Sequence, residues 1–402
     1  MTAITSYEDT FMADTFWKRP ITLVRGQGAK VWDAAGKEYI DCSCGYGVAL
    51  LGHSNPRVVE AIKRQAERLI TCHGSFYNDA REECLSRLYR IRPDGTDRVF
   101  LSNSGAETCE SALKIARKFT KKKGFVAMVN GYHGKTMGAL SVTWGQKYRE
   151  PFMPLLEGVK FVPYGNAQRL REAIDGETAA VFVEPVQGEG GINVPPPDYL
   201  RQVREICDEK GVVMIVDEVQ SGFGRTGKLW AHQHFGIRPD ILCAAKPLAG
   251  GLPFAATFAR GDIMAALKRG EHSNTFGGNP LSCAASVAAV DALLEGRLVE
   301  NAAEIGGVLK RGFEEYAAGS RIIREVRGLG LMLGIDMRFE IMNIILGCLG
   351  KGVIVLESGK TVLRMLPPLV MTRAEAETVV KVVCASIGED ERKRAAGQAT
   401  GA

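Results

Sequence analysis

The most constraining feature of the 402-residue sequence is a series of short apolar runs separated by amphipathic stretches. The runs are RVFLSN (98–103), FVAMV (125–129), VKFVP (159–163), AAVFVE (179–184), VVMIVDE (212–218), ILCAA (241–245) and FAATFA (254–259). A strand with one face in water alternates apolar and polar residues. These runs are apolar almost throughout, so both of their faces must be covered. The segments between them, such as 106–118 and 197–210, carry apolar residues at helical spacing and are long enough to cross between parallel strands. The expectation is an α/β core at 45–290, with a mainly parallel sheet clothed by helices.

After Gly270 the pattern changes. The loop SNTFGGNPLS leads into an alanine-rich helix, and residues 291–390 mix helices with short strands (VIVLE, VLRMLP) in a smaller α+β unit. Residues 1–44, with KVWDAAGKEYIDC as a hairpin, are expected to join that unit. The polar stretch 391–402 reads as a flexible tail. A hydrophobic content of 46% with 24% charged residues is that of an ordinary globular chain. A net charge of +5 is too small for a nucleic-acid footprint. The run Arg117–Lys118 and Lys121–Lys123 reads as a solvated helix end. Ten cysteines include no C-x-x-C pair, which argues against a zinc ribbon and suits a reducing compartment. No secretory signal opens the sequence, and no window reaches the unbroken apolar length of a membrane span. A soluble, cytoplasmic protein is expected, with no membrane and no metal.

Three stretches carry chemistry. In LSNSGAETCES a strand ends near Asn103 and a helix begins after Ser104. The free amides of Gly105 and Ala106 suit an anion such as a phosphate, although Ser104 and Glu107 also read as a plain capping box. In VVMIVDEVQSGFGRTGKLW, Asp217 and Glu218 end an apolar strand, where ligands gather in open α/β sheets. Gly222 to Lys228 begins like a P-loop, but Leu229 removes the hydroxyl that would hold Mg²⁺. In ILCAAKPLAGG, Lys246 ends another strand. Such a lysine is ordinarily a snorkelling side chain, yet one desolvated beside apolar neighbours forms Schiff bases with carbonyls. An amine for an aldehyde, a phosphate cradle and a buried carboxylate for a ring nitrogen are together what pyridoxal 5′-phosphate requires.

The ordered set SNSGAET, NGYHGKT, EPVQGEGG, DEVQSGFGRTG, AAKPLAGG, SNTFGGNP and LRMLPP resembles the class III, ornithine-type aminotransferases of PLP fold type I along nearly the whole chain. The resemblance implies a large seven-stranded domain, a small domain built from both chain ends, and a homodimer with shared active sites. It implies that Lys246 carries the cofactor and moves the proton, and that Asp217 pairs with the pyridine nitrogen. Tyr132 and Val219 would bracket the ring, with Gln220 at its hydroxyl. Ser104, Gly105 and Ala106 would hold the phosphate, with Thr275 reaching it from the neighbouring subunit. Arg364 would bind a substrate carboxylate and Glu189 would gate that arginine. Glutamate and 2-oxoglutarate would then form one substrate pair.

The stretches GYGVALLGH, MGALSVTWGQKYREPFMPL and KLWAHQHFGIRPDIL are closer to a narrower branch. Its members convert a terminal semialdehyde to an amine on a small acidic carrier protein (LysW) in lysine and arginine biosynthesis. Acetylornithine or ornithine aminotransferase on free substrate is the alternative, and a non-enzymatic binding protein a remote one. Lys135 stands where many members have arginine, which leaves its contact with a substrate or carrier carboxylate open. His53 reads as a local turn residue and His133 as structural, while His232 and His234 are spaced wrongly for metal ligands on one helical face.

Overall fold

All seven apolar runs enter one sheet in the computed structural model, which describes residues 3–397. Across the sheet the strands run Arg98–Ser102, Ala255–Ala259, Ile241–Ala244, Val213–Asp217, Thr178–Val183, Gly124–Met128 and Val159–Val162. Only Ala255–Ala259 is antiparallel to its neighbours. The inner strands are buried residue by residue, whereas the edge strands 98–102 and 159–162 each expose a charged residue.

Successive side chains leave opposite faces of a strand, and the two faces are covered separately. Phe125, Ala180 and Phe182 pack under the helix Gly105–Thr120, while Val126, Val181 and Met214 pack under the helix Tyr199–Lys210. Each large apolar side chain buried this way stabilises the fold by about 1.5–3 kcal/mol. Phe182→Ala, at 0% exposure, is expected to remove about 3–5 kcal/mol. Parallel strands bring their C-terminal ends to one edge, so Ser102, Met128, Val183, Asp217 and Ala244 open towards the same loops.

Two smaller sheets complete the chain. One joins Leu23–Gln27, Lys30–Asp33 and Glu38–Asp41 to Val353–Ile354, which pairs in parallel with Glu38–Asp41. The other orders Ile323–Leu329, Met332–Met337, Val362–Met365 and Leu356–Ser358. Between them, Leu366 N donates to Cys42 O at 2.7 Å and Leu369 N to Leu50 O at 2.8 Å.

One boundary differs from the sequence reading. The last helix, Arg373–Ala395, begins at a Thr372–Glu375 capping box and carries residues 391–395, assigned above to a flexible tail, as regular helix. The basic residues Arg392, Lys393 and Arg394 complement the dipole of its last turn, and Arg394 Nε holds Asp390 Oδ2 at 2.6 Å. The rest of the expected tail, 398–402, lies outside the described residues. No helix among the described residues is long and apolar enough to cross a membrane.

Candidate active site

Asp217 closes the strand Val213–Asp217 and is 5% exposed. A carboxylate so placed is costly unless its oxygens are bonded. Oδ1 accepts from Val219 N at 2.9 Å, and Oδ2 lies 2.8 Å from His133 Nδ1 and 3.6 Å from Cys109 Sγ. His133, read from sequence as structural, is therefore the ring that faces Asp217 and also part of the cavity wall. Cys109, His133 and Asp217 offer ligand atoms within 4.8 Å of one another. Burial, however, pushes the Cys109 thiol well above its ordinary pKa, which keeps it protonated and a poor cation ligand.

The helix Gly105–Thr120 starts beside this carboxylate. Ser104 is its N-cap, accepting from Glu107 N at 3.3 Å. The Glu107 carboxylate does not return to Ser104. It accepts instead from Asn103 N and Nδ2, both at 2.8 Å, so the reciprocal capping box does not form. The amides of Gly105 and Ala106 have no acceptor among the described residues, as expected in a first helical turn. Gly105 is required here, because a Cβ would sit 2.7 Å from Val219 Cγ1.

Lys246 follows the strand Ile241–Ala244 with φ +47°, a left-handed conformation that non-glycine residues adopt at a cost. Burial lowers its pKa, and the nearby Glu189 and Asp217 offset this only in part. Of the residues singled out in the sequence, Gly105, Ala106, Tyr132, Lys135, Glu189, Asp217, Val219, Gln220 and Lys246 line one cavity of about 240 Å³. Ser104 and Thr275 are exposed and do not line it. Arg364 reaches the cavity through Glu189, with Nη1 2.5 Å from Oε1. Arg364 is fully buried and stands over the Tyr46 ring at 5.4 Å, yet its Nε and Nη2 have no partner among the described residues. Burial works to raise the pKa of Glu189, but Arg364, joined by Lys246 and Gln220, outweighs it and lowers the pKa overall.

One wall residue escaped the sequence reading. Glu184, just past the strand Thr178–Val183, is 6% exposed and lines the cavity. Its Oε1 accepts from Tyr132 N at 3.0 Å and Oε2 from Gly188 N at 3.1 Å. Burial, reinforced by the charge of Asp217, pushes its pKa up to about 7. The available signal was an acid ending an apolar run, the same pattern that marked Asp217. His53 is also corrected. It is no local turn residue, because its Nε2 lies 2.7 Å from Asp41 Oδ2, twelve positions away. His232 Nδ1 packs 2.7 Å from Glu218 Oε1 and His234 Nε2 3.0 Å from Thr226 O, each in its own hydrogen bond.

A lysine, unbonded helix amides and a bonded carboxylate around one cavity define a class of protein, namely α/β enzymes that seat a phosphorylated aldehyde on a lysine. The comparisons narrow the class. The family model "Aminotransferase class-III" matches residues 12–386, and the chain belongs to that family. It is a PLP-dependent aminotransferase. Among curated relatives it is 49% identical to an acetylornithine aminotransferase of Methanopyrus kandleri, over 82% of this chain and 84% of that one. It is 44% identical to a [LysW]-aminoadipate semialdehyde/glutamate semialdehyde transaminase of Sulfurisphaera tokodaii, over 94% and 97%. Its fold superposes on ornithine aminotransferase from Toxoplasma gondii with a TM-score of 0.93, at 35% identity, over 97% and 96% of the two chains. The residues present fit the cofactor. Gln220 Oε1 is buried at the cavity wall without a partner among the described residues, and the Gly105 and Ala106 amides are left for a phosphate.

Proposed function

We propose that this enzyme interconverts a terminal semialdehyde and a terminal amine, with glutamate and 2-oxoglutarate as the other pair. We further propose that the semialdehyde is carried on a small acidic protein of the LysW kind. The observation that carries the first reading is the Arg364–Glu189 pair beside Lys246. With Glu189 on Arg364, the pocket suits an amine chain that has no carboxylate at that end. With Glu189 displaced, the guanidinium fork takes the carboxylate of glutamate in a two-point contact.

When bound, pyridoxal phosphate supplies the aldehyde that accepts the amino group and the ring that accepts the electron pair released at Cα. The chain supplies the rest. Lys246 Nζ, kept less basic by burial, moves the proton. Asp217, oriented by His133, keeps a proton on the ring nitrogen. Gly105, Ala106 and the Ser104 hydroxyl bind the phosphate at the helix start, joined by Thr275 of a second copy of the chain. Tyr132 and Val219, both in the cavity wall, would bracket the ring, and Gln220 would meet its hydroxyl. Two observations support a dimer. Thr275 and Ser104 are exposed and form no part of this chain's own cavity wall, and Phe76, Tyr77 and Phe276 carry large apolar side chains at 63–106% exposure. Ten free cysteines, eight of them buried, support a reducing cytosol.

Support for a carrier comes from the relatives bearing the LysW name and from the cavity mouth. Lys135 and Lys147 both stand over the Tyr148 ring, at 5.1 and 4.7 Å, and neither forms an ion pair among the described residues. Cations so placed steer an acidic macromolecule. The Methanopyrus relative favours the second reading, acetylornithine as free substrate. Parallel assays with glutamate as donor decide between them. Carrier-linked semialdehyde should be turned over with a kcat/KM at least tenfold above that of N-acetylglutamate semialdehyde. The reverse ranking establishes the second reading.

A further inference from the structure

Arg225 lies outside the cavity, in the loop that follows the Asp217 strand, and is fully buried. No carboxylate pairs with it among the described residues. Its side chain turns to backbone of the C-terminal unit, where Nη1 donates to Leu331 O at 3.0 Å and also to Pro367 O. Its Nη2 lies 3.9 Å from Cys44 Sγ, and its own carbonyl accepts from Leu331 N at 3.0 Å. Leu331 immediately precedes the strand Met332–Met337, and Pro367 closely follows Val362–Met365. These strands are antiparallel partners, with Leu333 opposite Met365 and Gly334 opposite Arg364. Arg225 thus grips both at one end, three residues from the guanidinium proposed to bind substrate.

The loop that presents Arg225 is itself anchored at the Asp217 strand. Gly222 N donates to Glu218 O at 3.1 Å, and the Glu218 carboxylate accepts from Ala231 N and His232 N at 2.6 and 2.8 Å. On its far side the loop is in close contact with the C-terminal unit, since a Cβ at Gly330 would lie 2.4 Å from Thr226 C. Burying a guanidinium against carbonyls alone is costly, and burial lowers its pKa. An apolar residue would join two packed surfaces at less cost. What the guanidinium adds is direction, because the two N–H groups of Nη1, fixed in its plane, hold the Leu331 and Pro367 carbonyls at once. We infer that Arg225 is a positioning residue that sets where Arg364 stands relative to Lys246 and Asp217, and so tunes affinity for dicarboxylates.

This inference rests on the proposed carboxylate role of Arg364, and the experiment separates the two. Glutarate, a dicarboxylate with no amine, is titrated calorimetrically into the cofactor-loaded wild type, R225K, G330A and R364A. Arg225→Lys keeps the charge and loses the fixed plane of those donors. It should weaken glutarate and raise the KM for glutamate at least tenfold, with kcat within about twofold and the visible spectrum and cofactor retention unchanged. Gly330→Ala, which displaces the same junction with Arg225 intact, should move the same two constants. If R225K does not fold, G330A decides on those readouts. Unchanged glutarate affinity in R225K, beside its loss in R364A, overturns the positioning role alone. Unchanged affinity in R364A overturns both readings. Parallel loss of kcat and cofactor retention in R225K reduces Arg225 to a structural residue.

Discussion

The two walls of the cavity are held in opposite ways. On the Asp217 side both carboxylate oxygens are occupied, by Val219 N, His133 and Cys109, on a strand buried along its whole length. On the Arg364 side a fully buried guanidinium leaves Nε and Nη2 without partners among the described residues, and the carboxylate paired with it, Glu189, keeps a side chain that is 29% exposed. An unfilled buried donor costs about 1–3 kcal/mol. On the first wall the carboxylate is fully bonded before any substrate arrives, as reaction chemistry common to all substrates demands. The second keeps donors in reserve for a ligand, and that is where a choice between substrates is made.

Lys246→Ala makes the harshest test of that division. It should lower both half-reactions by about 10⁴-fold or more, read as 2-oxoglutarate formed from glutamate and amine formed from semialdehyde. Survival of either half would end the idea of a common wall. Asp217→Asn should cost on the order of 10³-fold, again in both halves, because charge at the ring nitrogen serves every substrate alike. Glu184 belongs to the common wall as well, and its signature is pH-dependent stability. Its carboxyl is held at about 7 by burial, above the ordinary 4.5. From pH 4.5 to 7 the folded chain keeps a proton that the unfolded chain has lost, so stability falls by about 3 kcal/mol across that window and levels off above it. Glu184→Gln should flatten the slope, as measured by urea midpoints at pH 5, 6, 7 and 8.

Smaller effects should appear on the second wall, and they should be selective. Arg364→Lys is expected to lower kcat/KM for glutamate about 30-fold through loss of the two-point contact, while the terminal-amine half-reaction changes less than about threefold. Equal losses would erase the distinction between the walls. Lys135→Ala, at the mouth, should slow only carrier-linked substrate, by about threefold, and the difference should shrink as salt is added. Loss with glutamate alone would move Lys135 from the mouth to the pocket.

Much of the fixed wall was legible in the sequence. The seven strands announced themselves because strands buried on both faces must be apolar throughout, and an acid or lysine at the end of such a run stands out. Asp217 and Lys246 were found that way. Glu184 carries the same mark and was passed over, because its meaning lies in the Tyr132 and Gly188 amides, one of them 52 residues distant. Contacts of this kind leave no spacing to read. His53 with Asp41 and Arg225 with Pro367 are further cases in which either residue alone looks ordinary. The start of the expected tail failed for another reason. ERKR was taken as solvated polarity, whereas basic residues there complete the last turn of a helix anchored well upstream at Thr372.

The parallel pairing of Val353–Ile354 with Glu38–Asp41 bears on how the chain is made. During synthesis the seven-stranded sheet has all its strands once Ala259 emerges. The hairpin that precedes it must wait roughly 310 residues for its last partner, and a closure that long is slow. Meanwhile the strand Glu38–Asp41 presents an unpaired edge. A nascent chain stalled near residue 300 would therefore hold a formed floor beneath an unfinished roof, and chaperone contact should fall on the strand Glu38–Asp41.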